Sequence, residues 1–113
     1  MTSDTAAFTN GRYRLSSIEQ IPLGEGRQFA LADRMIAVFR TRSGEVRAVQ
    51  ATCPHRGGPL ADGIIGSDQV VCPLHGFKFH LVGGTAIGND CRPLQTFDVW
   101  TTAAGELVAD IGP

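Results

Sequence analysis

The stretch CPHRGGPLADGIIGSDQVVCPLHGF, residues 53–77, holds two thiols and two imidazoles in two tight pairs, Cys53-x-His55 and Cys72-x-x-His75. Sixteen residues separate His55 from Cys72, and each pair sits among Pro and Gly. A lone Cys or His is ordinarily a packed residue. Two such pairs in turn-rich loops point instead to a metal centre with an S₂N₂ donor set. Zinc accepts Cys₂His₂ at a closed tetrahedral site, but zinc fingers group Cys with Cys and His with His, often on a hairpin and a helix. Here each loop carries one of each, and no helical pattern follows. A [2Fe–2S] cluster with two Cys on one iron and two His on the other needs that division. Two loops reaching the cluster edge-on would each give a Cys to one iron and a His to the other. The spacing favours iron–sulfur over a zinc-stabilised interaction domain.

Working outward, the flanks read as short strands. Candidates are 13–18, 27–32, 35–41, 46–51, 69–72, 77–81, 94–100 and 106–111, rich in β-branched and aromatic residues and partly alternating apolar with polar. Arg42-Ser43-Gly44-Glu45 and Ala103-Ala104-Gly105 have the composition of hairpin turns. No segment sustains a period of about 3.6 residues. The expectation is an all-β fold, an antiparallel β-sandwich with an inserted pair of loops at about 52–80. The polar, aperiodic residues 1–11 read as a flexible leader, and 12–113 as a single domain.

Bulk numbers exclude several classes. With 113 residues, the chain suits one compact domain and leaves no space for a second catalytic module. A formal net charge of −1 gives no general field for nucleic acid or an anionic membrane. No apolar run reaches the roughly 18 residues of a membrane span, and the first residues lack the pattern of a secretory signal. Three cysteines cannot all pair internally, which suits a reducing, cytoplasmic compartment.

CPHRGGPL and CPLHGFKF resemble the two cluster-binding boxes of the Rieske iron–sulfur family, at the family's usual separation. The resemblance runs from about Leu15 to Ile111 and takes in GEGR (24–27), AVFRTRSGEVRAV (37–49) and LQTFDV (94–99). In that detail the chain is similar to small subunits of NAD(P)H-dependent assimilatory nitrite reductase, and next to the Rieske ferredoxins that feed ring-hydroxylating oxygenases. The resemblance implies a β-sandwich base with a small cluster-binding subdomain. It implies that Cys53 and Cys72 ligate the buried iron of one [2Fe–2S] cluster, and His55 and His75 the outer iron. It also implies electron transfer without turnover alone, to a larger redox partner: a sirohaem nitrite reductase subunit, or an oxygenase with its flavin reductase.

Several residues depart from the high-potential members of the family, which carry a disulfide between the boxes and Ser and Tyr donors after the second. Gly58 and Leu74 stand at the disulfide positions, and Phe77 and Phe79 at the donor positions. Fewer donors to the cluster sulfurs stabilise added negative charge less, so the potential is expected near the lower end of the family range of about −150 to +300 mV. Gly57, Gly58 and Gly76 are expected to let backbone approach the cluster. Pro93 is expected in a third loop over the cluster. His80 reads as a strand residue rather than a ligand, Cys91 as a free, partly buried thiol, and Trp100 as strand packing. The edge around His55, Arg56, Gly57, Pro73, Leu74, His75 and Gly76 is the expected docking face.

Overall fold

A computed structural model describes residues 6–7, 11–32, 34–55, 57–74 and 76–112. His75 and Arg56, two of the residues singled out by sequence, lie outside the described residues. Among the described residues eleven strands run in chain order: β1 Ala6–Ala7, β2 Arg12–Ser17, β3 Glu25–Leu31, β4 Arg34–Arg40, β5 Val46–Gln50, β6 Ile64–Gly66, β7 Gln69–Val71, β8 Lys78–His80, β9 Ala86–Ile87, β10 Thr96–Thr101 and β11 Glu106–Asp110. Among the described residues the helical pieces are two 3₁₀ turns, Ile18–Gln20 and Leu60–Asp62, and no helix is long and apolar enough to cross a membrane. The fold is all-β with antiparallel pairing throughout.

Seven strands form one sheet in the order β1-β2-β11-β10-β5-β4-β3, and four form a second in the order β6-β7-β8-β9. The larger sheet folds over on itself. β10 makes the corner: Thr96 and Phe97 pair with β5, whereas Asp98–Thr101 pair with β11. A strand that changes partners along its length in this way joins the two layers of a sandwich. Between the layers lie Leu15, Ile21, Leu31, Ile36, Val38, Ala48, Leu107 and Ala109, all buried.

The other face of β4 and β5 is buried as well. Ile36 and Val38 point into the sandwich, while Ala37, Phe39 and Val49 pack against Leu60, Ile65, Val70, Phe79, Leu81 and Leu94 of the inserted sheet and its flanking loops. This accounts for the uninterrupted buried run Ile36–Phe39 in β4, since a strand covered on both faces does not alternate. β4 and β5 are therefore a wall shared by two cores.

Three local features fix the insert on that wall. Gly26 lies opposite Phe39 in the β3–β4 ladder, and a Cβ there would sit 2.6 Å from the Phe39 ring and 3.0 Å from the Ala61 carbonyl oxygen. Glycine thus permits the Leu60–Asp62 turn to pack on the edge strand. The β6–β7 hairpin turns on Ser67 and Asp68, with φ of 52° and 59°, the left-handed pair that a two-residue hairpin loop requires. Asp68 then accepts from Nε of Arg47 on β5 at 3.1 Å, and its carbonyl accepts from the Leu81 N–H at 2.7 Å.

The expected strands are all present, with ends shifted by a few residues. β6 and β9 carried no strand signal of their own, because strands this short are set by pairing with β7 and β8. Within the stretch read as a leader, Ala6–Ala7 pair with Tyr13 and Arg14 of β2. The two expected hairpin turns stand where the sequence puts them, with Gly44 at φ 92° and Gly105 at φ 80°.

Candidate metal centre

The two Cys-His loops, one following β5 and the other joining β7 to β8, are built alike. In the first, the Cys53 N–H donates to the Gly58 carbonyl at 2.8 Å and the Gly57 N–H to the Cys53 carbonyl at 2.8 Å. In the second, the Cys72 N–H donates to the Phe77 carbonyl at 2.7 Å and the Gly76 N–H to the Cys72 carbonyl at 3.1 Å. Each loop is thus closed by a bond from the Cys to the fifth residue on, and another back from the fourth. That fourth residue is glycine in both, with φ of 72° in both, a conformation costly to any residue with a Cβ. Proline follows the cysteine in both loops. The histidine is the second residue after the Cys in the first loop and the third in the second.

Both thiols face inward. Cys53 is 2% exposed and Cys72 3%, and both belong to the apolar core that also holds Phe39, Leu60, Val70 and Phe79. His55 is exposed, as are Gly57, Pro73, Leu74 and Gly76 around it at the loop tips. Gly58 is buried at the seam between the loops, where a Cβ would lie 2.8 Å from Cys72 Sγ and 3.0 Å from Leu74 Cγ. Its bare backbone leaves the Cys72 sulfur room that any other residue would take.

Phe77 and Phe79, on either side of Lys78, have separate fates. Phe79 is fully buried in the core shared by insert and base. Phe77 is half-buried, and its ring stacks on the His55 imidazole with centroids 4.1 Å apart and planes 19° from parallel. The second loop thereby touches the histidine of the first.

A third segment, 88–95, runs without strand pairing along this end and packs Cys91 and Leu94 on the same core. Its anchor is Asn89, which sequence reasoning missed. Asn89 Nδ2 donates to the carbonyls of Lys78 at 3.2 Å and Ile87 at 3.3 Å, and Oδ1 accepts from the Cys91 N–H at 2.9 Å. The Gly-Asn-Asp run before Cys91 was the available signal, since Asn readily bonds the backbone two residues on. Pro93, expected over the cluster, is exposed. Cys91 is a free, partly buried thiol, His80 an exposed residue of β8, and Trp100 lies on β10 with the Arg12 guanidinium 5.8 Å from its ring centroid.

Of the four predicted ligands, the structure thus gathers Cys53, His55 and Cys72 at one end of the insert. Among the described residues no group of three His, Cys, Asp or Glu stands ready for a single metal ion. The arrangement fits a two-iron cluster in its chemistry: inward thiols for a buried iron, an outward imidazole, and a glycine seam beside one sulfur.

Comparison with known proteins agrees. The model of the Rieske [2Fe-2S] domain matches residues 11–98. A segment of cholesterol 7-desaturase from Ciona intestinalis is 41% identical over 73 residues, covering 64% of this chain and 16% of that protein. The chain therefore spans about a sixth of that relative's length. The crystal structure described as an NADH-dependent nitrite reductase small subunit from Mycobacterium tuberculosis superposes with a TM-score of 0.84 at 21% identity, over 94% of this chain and 100% of that one. The ferredoxin of carbazole 1,9a-dioxygenase from Nocardioides aromaticivorans superposes with a TM-score of 0.78 at 24% identity, over 86% and 94%.

Proposed function

Because this chain belongs to the Rieske [2Fe-2S] domain family, we propose that its loops hold the cluster through Cys53, His55, Cys72 and His75 and deliver single electrons to a larger redox protein. The cofactor is a Rieske-type [2Fe–2S] cluster, which supplies a one-electron couple when bound. The observation that carries the ligand assignment is the matched backbone closure of the two loops, with a buried thiol at the root of each.

The residues around the cluster have distinct tasks. Cys53 and Cys72 bring two negative charges to a site that, with two ferric ions and two sulfides, is otherwise +2, so the oxidised centre is neutral and the reduced one −1. Neutral imidazoles in place of two further thiolates keep the centre easier to reduce. The apolar walls formed by Leu60, Val70 and Phe79 exclude water from the thiol side. The exposed tips, His55, Gly57, Pro73, Leu74 and Gly76, form the exit face. Leu74 is 52% exposed there, and such a small, largely uncharged surface suits a modest subunit or transient contact.

The first partner reading is the large, sirohaem-containing subunit of an NAD(P)H-dependent nitrite reductase. It is supported by the likeness of the Mycobacterium tuberculosis small subunit over its full length. A second reading, a ferredoxin serving an oxygenase, is favoured by the 41% identity to a segment of a desaturase and by the superposition on a dioxygenase ferredoxin.

One experiment tests both levels. Anaerobically purified protein is expected to hold two irons and two labile sulfides, with a reduced EPR spectrum whose average g lies below that of an all-Cys cluster. Zinc in place of iron would end the reading. The dithionite-reduced protein is then mixed with each partner. Rapid oxidation by the nitrite reductase subunit, slowed in a Leu74→Asp variant with unchanged absorption, supports the first partner. Oxidation by an oxygenase alone selects the second.

A further inference from the structure

The like-built loops differ at the residue five places after the cysteine. In the first loop that residue is Gly58, and the second loop's Cys72 Sγ and Leu74 occupy the space a side chain would need. In the second loop it is Phe77, whose ring reaches across to the first loop's His55. Each of these residues therefore faces the opposite loop. One yields space to a sulfur, and the other covers an imidazole.

From this we infer that Phe77 is a positioning residue for His55: its ring fixes the plane of the imidazole and covers one of its faces. The inference rests on the reading above, in which His55 is a cluster ligand. Its root is anchored, because the Phe77 carbonyl accepts the Cys72 N–H at 2.7 Å, which ties the ring to the backbone of a buried thiol. Its body is held, because Phe77 packs on the core that contains both Cys53 and Cys72. Its far face meets His55 at 4.1 Å and 19°, a near-parallel contact of the kind aromatic pairs adopt when offset. His55 is exposed, on a loop that carries Gly57 at φ 72°. The terminal torsion of histidine is broad, and a ring lying flat on the imidazole narrows it. Orienting contacts around a metal-bound imidazole tune both its geometry and the metal's potential.

Two physical effects set the sign of the change on removing the ring. The negative π face of Phe77 disfavours the additional electron, and the apolar cover keeps water from one side of the imidazole. Losing either favours the reduced, more negative state, so the midpoint potential should rise.

The test uses the full chain as purified with its cluster. Phe77→Leu and Phe77→Met keep apolar volume without an aromatic face, and Phe77→Tyr restores the face. Iron and sulfide content, reduced EPR spectra and midpoint potentials are compared. The inference expects full iron in all three, broadened and shifted g values with a raised potential in the Leu and Met variants, and a spectrum close to wild type in Phe77→Tyr. Sharp, unchanged spectra and potential in the Leu and Met variants would overturn it. So would loss of iron from both while Phe77→Tyr loads, because Phe77 would then serve assembly rather than orientation. A wild-type protein without the low-g signal refutes the cluster reading itself, an outcome distinct from either.

Discussion

The sandwich base and the inserted sheet share β4 and β5 as a wall, yet they use that wall differently. On the base side the wall meets Leu15, Ile21, Leu31, Leu107 and Ala109, an aliphatic core with no polar duty. On the insert side it meets a core that includes two thiols. The base joins its buried core to long paired strands. The insert is made of strands two or three residues long, too short to be stable unaided, so it leans on the wall, on tight turns and on whatever its thiols bind. Stability and chemistry are thus separated across one pair of strands.

The sharpest way to break that separation is a pair of substitutions, one on each side. Cys72→Ala removes a buried thiol, proposed above as a ligand, and is expected to abolish the cluster's visible absorption and EPR signal completely. The far-ultraviolet β signal and cooperative melting of the base should survive. Leu15→Ala, in the base, is expected to cost about 2–5 kcal/mol by cavity formation, lowering the melting temperature while leaving the cluster spectrum of the folded protein unchanged. If Cys72→Ala unfolds the whole chain, the shared wall couples the two cores and the separation fails.

A smaller effect comes from the glycines of the first loop, which are adjacent but required for different reasons. Gly58→Ala introduces a Cβ at 2.8 Å from Cys72 Sγ, in a buried seam. Overpacking of this kind costs about 1–3 kcal/mol, and here the displaced atom is the sulfur of a proposed ligand, so iron content should fall along with melting temperature. Gly57→Ala meets nothing within 4 Å, but places alanine at φ 72°. Its cost, about 1 kcal/mol of backbone strain, should lower the melting temperature while iron content stays full. Equal iron loss in both variants would show that loop torsion, not space beside the sulfur, controls loading.

The two regions also differed in how far they could be read from sequence. The base strands were legible because β-branched runs and Gly-containing turns such as Ser43-Gly44 and Ala104-Gly105 are local signals. MIAVF read correctly as a strand, although the double burial of Ile36–Phe39 shows only once the insert is seen on its outer face. The candidate site was legible for another reason: Cys and His in paired loops have few other uses. What escaped carried a weak local signal or none. β6 and β9 exist through pairing, the Ser67-Asp68 turn lacks the usual Asn-Gly, and Asn89 acts through carbonyls on Lys78 and Ile87. The matched closure of the two loops was hidden because their histidines stand at different offsets. The stacking of Phe77 on His55 joins residues 22 apart in sequence on separate loops, a contact no local pattern encodes.

The smallest expected effect sharpens the comparison at the insert's own surface. His80 is the remaining histidine beside His55 and His75, and it lies only five residues beyond the latter. A ligand set could in principle draw on it, but the pleat of β8 argues otherwise. Successive residues of a strand face opposite sides, and Phe79 is fully buried against the core that holds Cys53 and Cys72. His80 therefore points away from those thiols, and it is exposed as that alternation requires. Its backbone is fixed independently of its side chain, by pairing opposite Gln69 and by its N–H donating to the Thr85 carbonyl at 2.8 Å. Replacing it by a carboxylate on this solvent face should change stability by no more than about 0.5 kcal/mol. His80→Asp is thus expected to keep two irons per chain, the reduced EPR spectrum and the midpoint potential of the wild type. Loss of the cluster in this variant would mean that the strand turns over in the loaded protein and that His80 displaces His75 as the fourth ligand, making the insert a sheet reorganised by its metal rather than a frame that awaits it.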